Sequence, residues 1–206
     1  MAISDCEVRD PRIRRTRQLL QGALQELMQV KTFDEISVQD ITDAATVNRA
    51  TFYDHYTDKF ALLEAMVAGG FHALLHERNI QYDGSCPTAI RAVILATCDY
   101  LTQTHTAQDV CKRQSAFEPL IDAAMTAAIR GVLMVGIHKS GPLPGLSPEI
   151  LGMAASWTIY GAVKQWFATP ERPLAEEIAS PILGLVLPML GFSGASEDAH
   201  AEHVSA

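Results

Sequence analysis

Apolar residues recur at the helical period along almost the whole chain. Between Arg12 and Val30 they fall at Leu20, Ala23, Leu24, Leu27 and Met28, one face of an amphipathic helix. Pro11 stands where a first-turn proline is tolerated. The stretch KTFDEIS then breaks the period. Ser37, with Asp40 three residues on, predicts a capped short helix from Val38 to Ala45. A second short helix is expected from Asn48, a good cap, to near Tyr56. Thr57 or Asp58 caps a longer one, which places Leu63, Met66, Val67, Phe71, Leu74 and Leu75 on one side.

Beyond the break YDGSCP, residues 82–87, the pattern predicts helices over 88–104 and 117–138, with a short turn near 106–112. A Pro/Gly-rich loop, KSGPLPGLSP, precedes helices over 148–168 and 173–190. The chain ends in the small, polar stretch GFSGASEDAHAEHVSA, of which 193–206 is expected to be a disordered tail. No segment reads as a strand and none repeats, so the fold class is all-α.

The first pair of short helices carries chemistry. Joined by a tight turn, VQDITDAATVNRATFYDHY has the pattern of a helix-turn-helix. Its apolar positions are Val38, Ile41, Ala44, Ala45, Val47 and Phe52. Ala44 and Ala45 permit a close crossing, and Phe52 points into the core with Phe60. The outward residues suit a DNA duplex. Arg49 can read guanine O6 and N7, and the methyls of Ala50 and Thr51 can meet a thymine methyl. Tyr53, His55, Tyr56 and Lys59 offer donors to phosphate oxygens, which position a helix without specifying sequence.

Composition sharpens this. The 206 residues carry a net charge of −8, yet residues 9–17, RDPRIRRTR, hold five arginines against one aspartate. A small basic strip on an acidic body meets polyanions locally and repels them elsewhere. Cys6, Cys86, Cys98 and Cys111 show no CxxC pair and read as free thiols of a cytoplasmic protein. The first residues lack the apolar core of a signal peptide. No uninterrupted apolar run reaches the ~18 residues of a membrane span, so no membrane is expected as a partner.

The stretch FDEISVQDITDAATVNRATFYDHYTDKFALLEAMV resembles the DNA-binding domain of the TetR family of transcriptional regulators. Ile36, Ser37, Ile41, Ala44, Ala45, Val47, Thr51, Phe52, Tyr53, His55, Tyr56, Lys59, Leu62 and Leu63 carry the likeness. It covers about the first 65 residues. One departure is Thr46, where the family usually has glycine, and it implies a different turn or local strain. The resemblance implies a three-helix DNA-binding domain at 1–57, a helical effector-binding and dimerisation domain at 58–192, and a linking helix between them. It also implies a homodimer on a double-stranded, palindromic operator, released by a small-molecule effector.

The expected DNA-binding set is Arg14, Arg15, Arg17, Ser37, Asn48, Arg49, Ala50, Thr51, Tyr53, His55, Tyr56 and Lys59. For the effector, an apolar lining from Ile94, Thr97, Cys98, Leu101, Phe117, Ile121, Ala124, Met125, Met153 and Trp157 is expected, with Arg113 or Arg130 for an anionic group. Trp157, Tyr160, Lys164 and Phe167, with Ile178, Ile182, Leu185 and Met189, are expected to form the dimer face. Gly69 and Gly70 lie inside the linking helix, as packing residues or as a soft point.

His72 and His76 stand i, i+4 without a third ligand, so no metal is expected, and no cofactor. There is no nucleophile–base pair, paired carboxylate or phosphate loop, which argues against an enzyme. The alternative is an effector-independent helix-turn-helix protein controlled by a protein partner.

Overall fold

The computed structural model describes residues 10–78, 86–108, 118–140 and 145–192. Among them are eight α-helices and no strand. The turn expected near 106–112 is corrected at its start, where the helix from Pro87 continues to Gln108; its remainder, the expected tail, Arg113 and Phe117 lie outside the described residues.

Each helix of the N-terminal part begins at a side chain that satisfies an orphaned backbone N–H. In α1 (Pro11–Leu27), Asp10 accepts from Arg12 N at 2.8 Å. In α2 (Val38–Ala45), Ser37 and Asp40 form a reciprocal capping box. In α3 (Arg49–His55), Asn48 accepts from Ala50 N at 2.8 Å. In α4 (Lys59–Glu77), Asp58 accepts from Ala61 N at 2.8 Å. A 3-10 turn, Phe33–Glu35, fills the interruption between α1 and α2. Leu20, Leu24, Phe33, Ile36, Ile41, Phe52 and Leu62 are the fully buried core of this part.

Three expectations for that core are corrected. Phe60 is 47% exposed, and Tyr56 is buried in its place. The reason is that α3 stops at His55, and Tyr56 takes an extended backbone (φ −140°, ψ 138°). That turns its ring inward to 5.9 Å from Phe52. Phe60, in the first turn of α4, instead lays an edge on Phe33 from outside, 5.3 Å between centroids. Ala44 faces solvent: the helical phase brings Ile41, Thr42 and Ala45 inward.

The body comprises α5 (Pro87–Gln108), α6 (Glu118–Ser140), α7 (Pro148–Ala168) and α8 (Ala175–Met189). Helices α4, α5, α7 and α6 form a four-cornered ring. α4 packs on α5 and α6, and both of those pack on α7. α5 and α6 thus stand at opposite corners, and α8 covers α5 and α7. By length and composition α6 passes as a membrane-crossing helix, which the sequence reading did not anticipate. Its Met125, Ile129, Val132 and Leu133 are buried, the pattern of a core helix.

The two linking-helix glycines differ. A Cβ on Gly69 would meet nothing within 4 Å, whereas one on Gly70 would lie 3.3 Å from Tyr100 Cε2. Gly70 is therefore a packing residue, which lets the Tyr100 ring lie against α4. Gly69 has no steric reason to lack a side chain. Gly69→Ala is expected to stabilise the protein by about 1 kcal/mol through helix propensity. Gly70→Ala should gain less or lose, because the ring must give way. Thermal melts of the two variants check the order, and a lower Tm for Gly69→Ala contradicts it.

Candidate nucleic-acid interface

The turn between α2 and α3 sets the pose of the second helix. Thr46 adopts φ 56°, ψ 42°, the left-handed region. Thr46 N bonds Asp43 O at 3.2 Å and Val47 N bonds Thr42 O at 3.0 Å, closing the end of α2. The turn therefore has the geometry a glycine would give it. The departure in sequence appears as strain on a β-branched residue, not as a different turn.

On the exposed side of α3, Arg49 and Tyr53 act as a unit one helical turn apart. The guanidinium lies over the Tyr53 ring, 5.6 Å from its centroid, and its Nη2 donates to the phenol oxygen at 3.2 Å. One of five donors is used, and the pair holds Arg49 in place for the rest. Ala50 is exposed beside it, and Thr51 and His55 are half-buried. Asn48 spends its carbonyl oxygen on the cap and keeps its NH₂ group as a donor. Asp54 is also exposed on α3 and would repel a misplaced phosphate.

Arg14 and Arg15 are exposed on the first turns of α1, with Arg12 beside them. Arg17 is half-buried, its guanidinium 5.8 Å from the Tyr56 ring centroid. Tyr56 does not stand on the recognition surface as expected. Its ring is in the core and its hydroxyl accepts from Gln21 Nε2 at 3.4 Å.

Two further roles change. A phosphate contact needs a donor, and Ser37 has given both of its own to Asp40, from its hydroxyl and from its backbone N–H at 2.8 Å. Lys31, that hydroxyl and that N–H hold the Asp40 carboxyl well below the ordinary carboxylate range. Ser37 is a cap beside a carboxylate, a poor place for a phosphate. Lys59 donates to Phe33 O, Asp34 O and Ile36 O, at 2.8, 3.1 and 2.8 Å. An ammonium has three hydrogens, so these bonds occupy all of them.

In the body, Ile94, Thr97, Cys98, Leu101, Ala124 and Met125 are buried and Ile121 is half-buried. Thr97 donates to Val93 O at 2.8 Å, its own helix's backbone. Burial pushes the Cys98 thiol up to about 12, and the neighbouring Asp99 charge adds to it. The thiol is neutral at physiological pH and a poor nucleophile. Because the folded thiol holds its proton to higher pH, alkaline conditions destabilise the fold between the ordinary thiol value and about 12.

Met153 and Trp157 do not close this lining: they are 49% and 50% exposed. The helical phase of α7 turns Gly152, Ala155, Ser156, Ile159 and Tyr160 inward and leaves Ile150, Met153 and Trp157 outside. Tyr160 and Lys164, expected at the dimer face, face α6 instead. Asp122 accepts from the Tyr160 hydroxyl at 2.7 Å and from Lys164 Nζ at 2.6 Å, and Lys164 also pairs with Glu118 at 2.9 Å. Burial, then Asp122, raises the Tyr160 phenol strongly. Desolvation pulls the Lys164 ammonium down, but Asp122 and Glu118 outweigh it, so its pKa rises. The i, i+4 spacing of Tyr160 and Lys164 was visible in the sequence; their partner, about forty positions away on another helix, was not. Ile182 is buried on α8 and Ile178 and Met189 are partly so, which leaves Leu185 as the outward apolar residue of that set.

Residues 19–66 match the family model described as bacterial regulatory proteins, tetR family. The uncharacterized HTH-type transcriptional regulator YxbF of Bacillus subtilis is 44% identical over 59 residues, 28% of this chain and 16% of that protein. The dhaKLM operon transcriptional activator DhaS of Lactococcus lactis is 30% identical over 67 residues, 32% of this chain and 36% of its own. The matched stretches thus span well under two thirds of either relative. The Thermus thermophilus FadR structure, a TetR-family transcriptional repressor in complex with lauroyl-CoA, has a TM-score of 0.52 at 18% identity and covers 91% of this chain and 100% of that one. A TetR-family regulator from Rhodococcus sp. has a TM-score of 0.50 at 15% identity and covers 85% and 98%. These two likenesses establish the fold and nothing finer.

The strained turn yields a prediction. A left-handed L-residue costs ~1–2 kcal/mol, partly offset by the ~0.5–1 kcal/mol that glycine loses in backbone entropy. Thr46→Gly is expected to stabilise the protein by about 0.5–1 kcal/mol. That corresponds to a Tm rise of roughly 1–4 °C for a chain of this length. A fall in Tm would mean that the threonine side chain contributes more than its backbone costs.

Proposed function

We propose that the chain, whose residues 19–66 match the tetR family of bacterial regulatory proteins, is a dimeric repressor that leaves a palindromic operator when a small, largely apolar molecule binds its body. The observation that carries the reading is the outward face of α3. There Arg49, held by Tyr53, stands beside Ala50 where a recognition helix meets base edges. Arg14 and Arg15 on α1, with Asn48, Thr51, Tyr53 and His55, supply the phosphate grip.

The body supports the effector half. Helices α5 and α6 give the buried Ile94, Thr97, Cys98, Leu101, Ala124 and Met125 and the half-buried Ile121 to the body's apolar core, where we place the effector. Apolar walls whose one hydroxyl, on Thr97, is bonded to Val93 O select an uncharged, largely apolar molecule. The stripe Ile150, Met153, Trp157 on α7, with Leu185 on α8, is the face we assign to the partner copy. Residues 1–57 are then the DNA-binding unit and 58–192 the effector-binding and dimerising unit.

The test starts from a pool of random-sequence duplexes passed over the protein. A recurring palindrome with steeply salt-dependent affinity supports the reading; recovery of no common sequence overturns it. On that duplex, Arg49→Ala is expected to relax specificity at one base-pair position per half-site and to cost ~1–3 kcal/mol there. Equal weakening on every sequence would make Arg49 a phosphate contact. Trp157→Glu buries a charge in the assigned interface, and sedimentation should show a monomer that no longer holds the full palindrome. A dimer that survives this change moves the interface elsewhere. A transcriptional reporter downstream of the duplex reads the sign of regulation, and rising expression on loss of the protein is the repressor outcome.

A further inference from the structure

The geometry points to Lys59 as a positioning residue for operator recognition, whose ammonium pins the linking helix to the helix-turn-helix so that the two move as one piece. This rests on the DNA-binding reading above. Lys59 is the first residue of α4, and its three acceptors run along the 3-10 turn: Phe33 O, which also takes Ile36 N at 3.2 Å, then Asp34 O, and Ile36 O at the C-cap. A helical turn leaves its last carbonyls without an internal partner, which here applies to Asp34 and Ile36 but not to Phe33. A point charge carrying three hydrogens is suited to gather them. The faces of Phe33 and Phe60, 4.8 and 5.8 Å from Nζ, add cation–π attraction. Ile36, whose carbonyl is one of the three, directly precedes Ser37, the cap of α2. Lys59 therefore stands one covalent step from the start of the helix-turn-helix.

The other end of α4 is held in the body. Arg78 Nε donates to Asp99 Oδ2 on α5 at 2.8 Å, and Tyr100 lies against Gly70. With both ends fixed, any tilt of α4 carries α2 and α3 with it. Without Lys59, the apolar packing of Leu62 and Leu63 and the Thr57–Asp58 link remain, and such contacts allow swivel. Two recognition helices engage successive major grooves only near one spacing, ~34–36 Å. Swivel leaves a single half-site contact nearly intact and lowers the effective concentration of the second.

The experiment uses the full chain and the duplex recovered by the unmutated protein, as the whole palindrome and as a single half-site. If the unmutated protein recovers no duplex, the functional reading fails before this inference is reached. Lys59→Met and Lys59→Arg are each titrated over a salt series, and the folded fraction is taken from circular dichroism. We expect both variants to lose about tenfold or more on the palindrome and clearly less on the half-site, with the salt slope unchanged. A phosphate contact behaves otherwise: Lys59→Met would reduce the slope by ~0.9 per site, and Lys59→Arg would bind normally, since a guanidinium grips phosphate at least as well. Equal losses on both duplexes would make the lysine a local support without a part in spacing. Either result, or unchanged affinity, overturns the inference. If Lys59→Met does not fold, Lys59→Arg carries the test, because it keeps the charge while its planar fork does not fit three converging carbonyls.

Discussion

One 19-residue helix is shared by two cores, and the rest of the chain is arranged around that constraint. At its start α4 gives Leu62 and Leu63 to the interior it shares with α1, and Lys59 to the turn before α2. Further along it gives Phe71, Leu74 and Leu75 to the body, where it packs on α5 and α6. A helix buried at both ends cannot slide in one core without disturbing the other, because packed interiors have discrete arrangements. That is the physical content of calling it a linking helix. Among the described residues the two interiors join in one continuous apolar cluster.

The elements were legible where a strong cap coincided with a helical apolar period. The expected spans of α2 and α7 match the structure residue for residue, because Ser37 with Asp40, and Ser147 with Pro148, leave the chain few other places to start. α1 ends at Leu27, three residues short of the expected Val30, where the chain passes into a turn before Phe33. Less legible was which aromatic faces in. Tyr56 and Phe60 are both compatible with either side by periodicity. The choice depends on the short extended link between α3 and α4, which resets the helical phase. Periodicity describes one helix at a time and does not register such a reset.

The polar corrections share a cause. Ser37, Lys59, Tyr160 and Lys164 each resembled a surface group with a donor to offer. Each spends that donor inside the molecule, on an acceptor that sequence spacing does not reveal unless it is three or four residues away. The Ser37–Asp40 box was visible for that reason. The Lys59 carbonyls, more than twenty positions back, and Asp122, about forty back, were not. A charged residue in a candidate interface is therefore weak evidence of contact until its internal hydrogen bonds are counted, because an ammonium has no fourth hydrogen to give.

That count bears on how an acidic protein meets DNA at all. With a net charge of −8, the chain as a whole repels a polyanion at distance. Removing Ser37, Lys59 and Tyr56 from the contact set concentrates the proposed grip in the α1 arginines and the α3 residues around Arg49. Fewer phosphate contacts mean weaker sequence-independent affinity, since that term scales with the number of phosphates neutralised. The discrimination between operator and bulk DNA then leans on base contacts and on the correct spacing of two such small surfaces. Both demand rigidity more than charge. In such a protein a lysine that fixes a helix can matter more to DNA binding than one that touches a phosphate, and the left-handed Thr46 turn, which sets the pose of α3, is the second place where geometry rather than charge decides the outcome.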